Sequence, residues 1–149
     1  MGLIVKGLQA VQARISRTEE RVQDNSLKAM RAMAELVVKA AKMNAPIDTG
    51  DLEGAIEAIE ERERTVQGRF GQTTIRVGVN TEKLQLELHR GFDYSIPMHE
   101  DTYNLGPRSA IKQSILGNTV GYKYLERALR DNEAEIRRRV EAAIKGAIQ

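Results

Sequence analysis

The sequence contains no cysteine. Disulfide staples, thiol nucleophiles and thiolate zinc sites are thereby removed, which accords with a reducing compartment. Tryptophan is missing too, and two Phe and four Tyr make up all of the 4% aromatic content. A core must then be built from Leu, Ile, Val, Ala and Met, a thin layer between helices and a sheet that further copies of the chain would help to cover. Histidine is limited to His89 and His99. No apolar run approaches the ~18 residues that span a bilayer, so no membrane partner is expected. Met1 to Lys6 is too short for a secretory signal, and Lys6 stands where a myristoylation site has Ser or Thr. The expectation is a soluble protein made in the cytoplasm.

What is present fits one domain over 1–149, a length that buries roughly 70% of the unfolded surface. The net charge of +2 conceals a pattern. Residues 1–47 carry eight Lys and Arg against four acids, and residues 48–65 carry seven acids against two Arg. Such opposite surfaces could pair head to tail between copies, or the basic one could face nucleic acid.

From Leu3 to Ala45 apolar residues recur at Ile4, Leu8, Val11, Ile15, Val22, Met30, Met33, Val37 and Ala41, the spacing of a long helix. Asp24-Asn25-Ser26 is the weak point, where a bend or a new N-cap would turn one projecting helix into a hairpin of two. Pro46 ends the pattern, because it lacks an N–H and pushes Ala45 out of the α region. Asp48 or Thr49 can then cap a short new helix, with Gly50 allowing a tight turn. Thr73 to Val79 alternates β-branched residues as a strand does, and Leu84, Leu86 and Leu88 share one face of another. Ala55 to Val66 is ambiguous by periodicity, with the glycines of Gln67 to Gln72 forming a hairpin tip. Gly91 to Gly121 holds two Pro and four Gly and reads as loop, with a helical turn near Ala110 to Leu116. Leu125, Leu129, Ile136, Val140 and Ile144 then mark a final amphipathic helix.

The fold class is thus α+β: a helical arm over 1–45, a turn and an antiparallel sheet of three to four strands over 46–91, a loop-rich insert over 92–120, and a C-terminal helix over 121–149 packed on the sheet.

Residues that carry chemistry are sparse. His99-Glu100-Asp101 suggests a metal or acid–base site, but position 103 is Tyr where a zincin has its second His, and Pro97 interrupts a helix there. The simpler role for His99 and Glu100 is to tie a neighbouring loop. Gly68 and Gly71 lack the Lys-Ser/Thr of a phosphate loop, and no Gly-x-Ser-x-Gly elbow occurs. Arg137-Arg138-Arg139 splays around its helix by about 100° per residue and cannot form one flat phosphate-binding patch. The expectation is no enzyme, no catalytic residue, no metal and no cofactor.

Three segments carry a resemblance. Ala45-Pro46-Ile47-Asp48-Thr49-Gly50-Asp51-Leu52 resembles the Ala-Pro-x-x-Thr-Gly-x-Leu signature of the head–tail joining, or tail-completion, proteins of tailed bacteriophages. Tyr94 followed by His99-Glu100 matches that family's second landmark, and Gly121-Tyr122-Lys123-Tyr124-Leu125-Glu126-Arg127-Ala128-Leu129 its third. The resemblance favours a strand after the Thr-Gly turn. It also implies a virion structural protein at the head–tail interface: a tail-completion or neck subunit forming a ring, six-fold by resemblance, around the DNA channel. Its partners would be itself and the neighbouring connector and tail-terminator proteins, with DNA passing through the lumen without sequence-specific binding. Pro46, Thr49, Gly50 and Leu52 would set the long helix against the sheet; Tyr94, His99 and Glu100 would order the central loop; Gly121, Tyr124 and Leu125 would seat the last helix. The alternative is a dimeric nucleic-acid-binding helical module. Against it, the bases of the arm are interspersed with Glu19, Glu20, Asp24 and Glu35.

Overall fold

Between Leu8 and Asn44 the chain has neither proline nor glycine and is rich in Ala, Leu, Gln, Arg, Lys and Glu, all good helix formers. It folds as one unbroken helix, α1 (Leu8–Asn44), 37 residues and about 55 Å long at ~1.5 Å per residue. The computed structural model describes residues 7–63, 71–84 and 91–149. Asp24-Asn25-Ser26 does not interrupt the helix and caps no new one. The Ser26 hydroxyl donates to the Val22 carbonyl at 2.5 Å, and Thr18 does the same to Arg14 at 3.0 Å, so these hydroxyls follow the helix instead of competing with it. The end falls where proline puts it, with Ala45 extended (φ −69°, ψ 142°) and its N–H making the last bond, to Ala41.

Gly50, at φ +102°, turns the chain into the short helix α2 (Asp51–Ala55), which leads directly into strand β1 (Ile56–Arg62). Strand β2 (Thr73–Val79) pairs antiparallel with β1, from Ile56 opposite Val79 to Arg62 opposite Thr73. One face of this ribbon places Ile56, Ala58, Val77 and Val79 on the core, and a 3-10 turn (Thr81–Lys83) then delivers Leu84, which is buried. Among the described residues the sheet has two strands. The remainder of the expected third strand, 85–90, and the tip over 64–70 lie outside the described residues.

The stretch read as loop is more helical than its composition suggested. It holds α3 (Ser95–Glu100) and α4 (Pro107–Leu116). Pro97 does not interrupt α3, because it sits in the first turn, where an N–H would have no intrahelical partner anyway. Pro107 opens α4 for the same reason, and Gly117 closes it at φ +68°.

The last helix, α5 (Tyr124–Ile148), packs mainly along α1 and not on the sheet as expected. Its buried residues are Tyr124, Ala128 and Ala147, and the first two share the core cluster with Val37, Val38 and Ala41, side chains small enough for a close helix–helix approach. Leu129, expected in the apolar stripe, is instead more than half exposed. No helix among the described residues is long and apolar enough to cross a membrane.

Candidate functional site

All ten residues singled out in the sequence fall around the junction where α1 ends, α2 begins and α5 starts. Pro46, Thr49, Gly50, Leu52 and Tyr94 line one cleft of about 700 Å³, together with Met98, Tyr103 and the start of α4. Leu52 is buried in the core and Tyr94 packs against it. Burial pushes the Tyr94 hydroxyl up in pKa, with Asp51, Asp93 and Asp48 adding to the effect. Thr49 offers the expected side-chain oxygen at long range, accepting from the Asp51 N–H at 3.5 Å, without itself sitting at the N-cap. Its hydroxyl donates to Asp51 Oδ2 at 2.8 Å, and Gly50 occupies the N-cap with no side-chain hydrogen bond.

The second group closes the other side of the junction. The Gly121 N–H donates to the Asn44 carbonyl at 2.8 Å, tying the approach to α5 onto the last turn of α1. A Cβ on Gly121, whose φ is +96°, would stand 3.0 Å from the Tyr103 hydroxyl oxygen. Two residues on, the Lys123 N–H donates to the His99 carbonyl at 2.7 Å, and its ammonium to Glu100 at 2.7 Å. These contacts hold Lys123 at φ +56°, a left-handed conformation rare outside glycine, with Glu126 a further anchor at 3.3 Å. Glu100 is shared between Lys123 and the His99 Nδ1, the latter at 2.7 Å, and these bonds lower its pKa. The His99 ring meets the buried Tyr124 ring edge-on, centroids 5.0 Å apart. Burial raises the Tyr124 pKa, and its hydroxyl points to the Ser95 carbonyl. Leu125 is half-buried against the same core.

Sequence reasoning missed the residues that lock the junction. Ser109 of α4 accepts from the Ile47 N–H at 2.9 Å and donates to the Ile47 carbonyl at 3.0 Å, clamping the residue after Pro46. Lys112, one turn on, donates to the Lys42 and Ala45 carbonyls at 2.6 and 2.8 Å, satisfying the free end of α1. Arg108 donates to the Asp48 carbonyl. Arg127 gathers the carbonyls of Thr119, Gly121 and Tyr122. The available signal was the Gly106-Pro107 helix start, which places Arg108, Ser109 and Lys112 on the first turns of a real helix.

Chemically, this arrangement fixes the angle at which a long helix leaves a small sheet. Among the described residues no group of three or more His, Asp or Glu side chains could hold a metal. His99 Nε2 is buried and finds no hydrogen-bond partner among the described residues, while His89 lies outside them. Arg137, Arg138 and Arg139 are engaged on their own helix, with Glu133 at 3.1 Å and with Glu135 at 2.7 and 2.8 Å.

The class so defined is an α+β protein with a projecting helix braced at its root by a backbone-clamping joint. Residues 9–96, more than half of the chain, match the HK97-gp10-like family, described as "Bacteriophage HK97-gp10, putative tail-component". The chain belongs to that family. No curated protein and no solved structure matches it.

Proposed function

We propose that the protein is a tail-completion or neck subunit of a tailed phage, assembling as a closed ring, six-fold in stoichiometry, at the head–tail junction around the DNA channel. The observation that carries this reading is the shape of α1 in a chain of the tail-component family: a 37-residue helix whose N-terminal Leu8, Val11 and Ile15 are each more than half exposed. A helix with that much uncovered apolar surface gains most of its burial from neighbours. Partners on this reading are other copies, the connector and the tail terminator, and DNA passes through without sequence-specific contact. The basic residues support this, because Arg31 faces Glu60 and the Arg137 to Arg139 run is paired along α5, which leaves no dense phosphate-binding surface there.

The reading assigns no catalytic step, no metal and no cofactor to the protein. Elemental analysis should return no stoichiometric metal, and zinc or manganese held through His99 would overturn that part. For the ring, deleting the gene from the phage that carries it should yield filled heads and separate tails. Purified protein added back should restore joined particles. Joined, infective particles in its absence would sink the assignment.

A further inference from the structure

The face of α1 that packs on α5 runs on past the end of α5, where Leu8, Val11 and Ile15 are each more than half exposed. Gly121 bonds Asn44 at one end of the pair, so α5 runs back along α1; its ~35 Å from Tyr124 to Ala147 reaches α1 near about residue 18. Beyond that point Leu8, Val11 and Ile15 are exposed. Leu8, Ile15 and Val22 are seven residues apart with Val11 between the first two, the a and d positions of a coiled-coil seam. Arg14 and Arg21 then fall at the flanking g positions, and neither forms an ion pair with a described residue.

A groove of matching character lies between the C-terminal half of α1, strand β2 and α5. It measures about 640 Å³ and is lined by Met30, Met33, Ile75, Leu125, Leu129 and Ile136. Counting Leu129 and Ile136 as a positions, Glu126 and Glu133 occupy the flanking e positions, seven residues apart like Arg14 and Arg21. Glu133 is held by Arg137 at 3.1 Å in a same-helix surface pair, and Glu126 stands 3.3 Å from the N-cap Lys123, whose ammonium keeps the shorter bond to Glu100 at 2.7 Å, so both acids can exchange partners at little cost. The arm cannot fold into its own groove, because both belong to the one continuous α1.

We propose that the arm of one copy lies in the α1–β2–α5 groove of a second copy, parallel to its α5, with Leu8, Val11 and Ile15 in the groove and Arg14 and Arg21 against Glu126 and Glu133. Arm and groove are different surfaces, so each copy gives one contact and receives one, the head-to-tail arrangement that closes into rings. The inference rests on the reading of the protein as a self-assembling ring and names the contact that would build it.

The absence of cysteine makes the test direct. Ile15→Cys and Leu129→Cys chains, both changed at exposed positions, are mixed and treated with a short bis-maleimide linker. The oligomeric state of the unmodified protein is measured separately by sedimentation at high concentration. A crosslinked heterodimer is expected from this pair and not from Ala13→Cys, on the far side of the arm, with Leu129→Cys. Carrying Arg14→Glu and Arg21→Glu on the Ile15→Cys chain should abolish the band, and Glu126→Arg with Glu133→Arg on the Leu129→Cys chain should restore it. A closed oligomer without the Ile15–Leu129 crosslink means that something else fills the groove; this overturns the docking inference and leaves the ring standing. The crosslink in an open-ended or dimeric species supports the docking and overturns the ring. A monomer without crosslink overturns both.

Discussion

Lys112 Nζ lies 2.9 Å from Glu53 Oε2 while donating to the Lys42 and Ala45 carbonyls, so one side chain from α4 closes the end of α1 and pairs with α2. Three elements meet at a single ammonium that is almost wholly buried, its side chain 13% exposed. The C-terminal carbonyls of α1 have no further turn to bond to once Pro46 stops the helix, and a cation is the group best suited to them. The joint is therefore built from a stop in one segment and a cap delivered from about 70 residues away.

Lys112→Met keeps the aliphatic stem and removes the ammonium. It should lower unfolding free energy by about 2 kcal/mol, since it leaves two carbonyls and a carboxylate without their donor. Glu53→Gln keeps the carbonyl contacts and should cost less. Urea denaturation of the two variants checks the order, and an unchanged midpoint for Lys112→Met would show that water replaces the cap.

Gly121→Ala tests the other side of the joint. The φ of +96° and the Tyr103 hydroxyl oxygen 3.0 Å from the added Cβ both oppose it, and a loss of about 2 kcal/mol is expected. Tyr103→Phe removes the crowding atom along with its bond to the Met98 carbonyl. In the double variant the steric part should be recovered and the backbone part should persist, so the two losses combine to less than their sum. Strict additivity would mean that the Tyr103 hydroxyl is not what limits residue 121.

These residues also show what could be read from the sequence. Pro46 ended α1 and Thr73 to Val79 formed a strand because both signals are local: a missing N–H and a period of two. The ten motif residues lie around one junction, a gathering that the three separate packing roles given to them in the sequence did not state. Ser109, Lys112 and Arg127 were illegible because their partners are backbone carbonyls, which every residue has, so no pattern marks them. The acidic stretch was expected to offer a free surface to another copy, yet Glu53, Glu57, Glu60 and Glu61 all pair within the chain, with partners up to 59 positions distant.

Leu125 and Leu129 looked equivalent as members of one apolar stripe, and the fold separates them. Leu125 packs against the core, whereas Leu129 is 55% exposed at the rim of the groove. Leu125→Asp places a carboxylate against apolar neighbours and should cost several kcal/mol, about 3. Leu129→Asp should change monomer stability by no more than about 0.5 kcal/mol. Thermal melts of both variants check this, and equal losses would mean that Leu129 is covered in the free chain.

Glu60 provides the pH dependence. Side-chain hydrogen bonds from Arg31 and Arg62 pull its carboxyl from the usual 4.5 down to about 2. Its folded-state pKa lies below the unfolded one, so folding favours the ionised form. The resulting stabilisation is fully present above about pH 4.5 and is lost as the pH falls through that value towards about 2. Glu57, Glu100 and Glu135 are lowered in the same sense, so the wild-type chain should lose stability steadily across this interval. Glu60→Gln should flatten part of that slope and leave the neutral-pH side little changed, because the pair is largely solvent-exposed. The carboxyl carbon of Glu60, followed by NMR, should titrate with a midpoint near 2 in the wild type and return towards 4.5 in Arg31→Gln. A midpoint near 4.5 in the wild type would show that Arg31 and Glu60 do not hold each other in solution, and that the middle of α1 is fastened to β1 by packing alone.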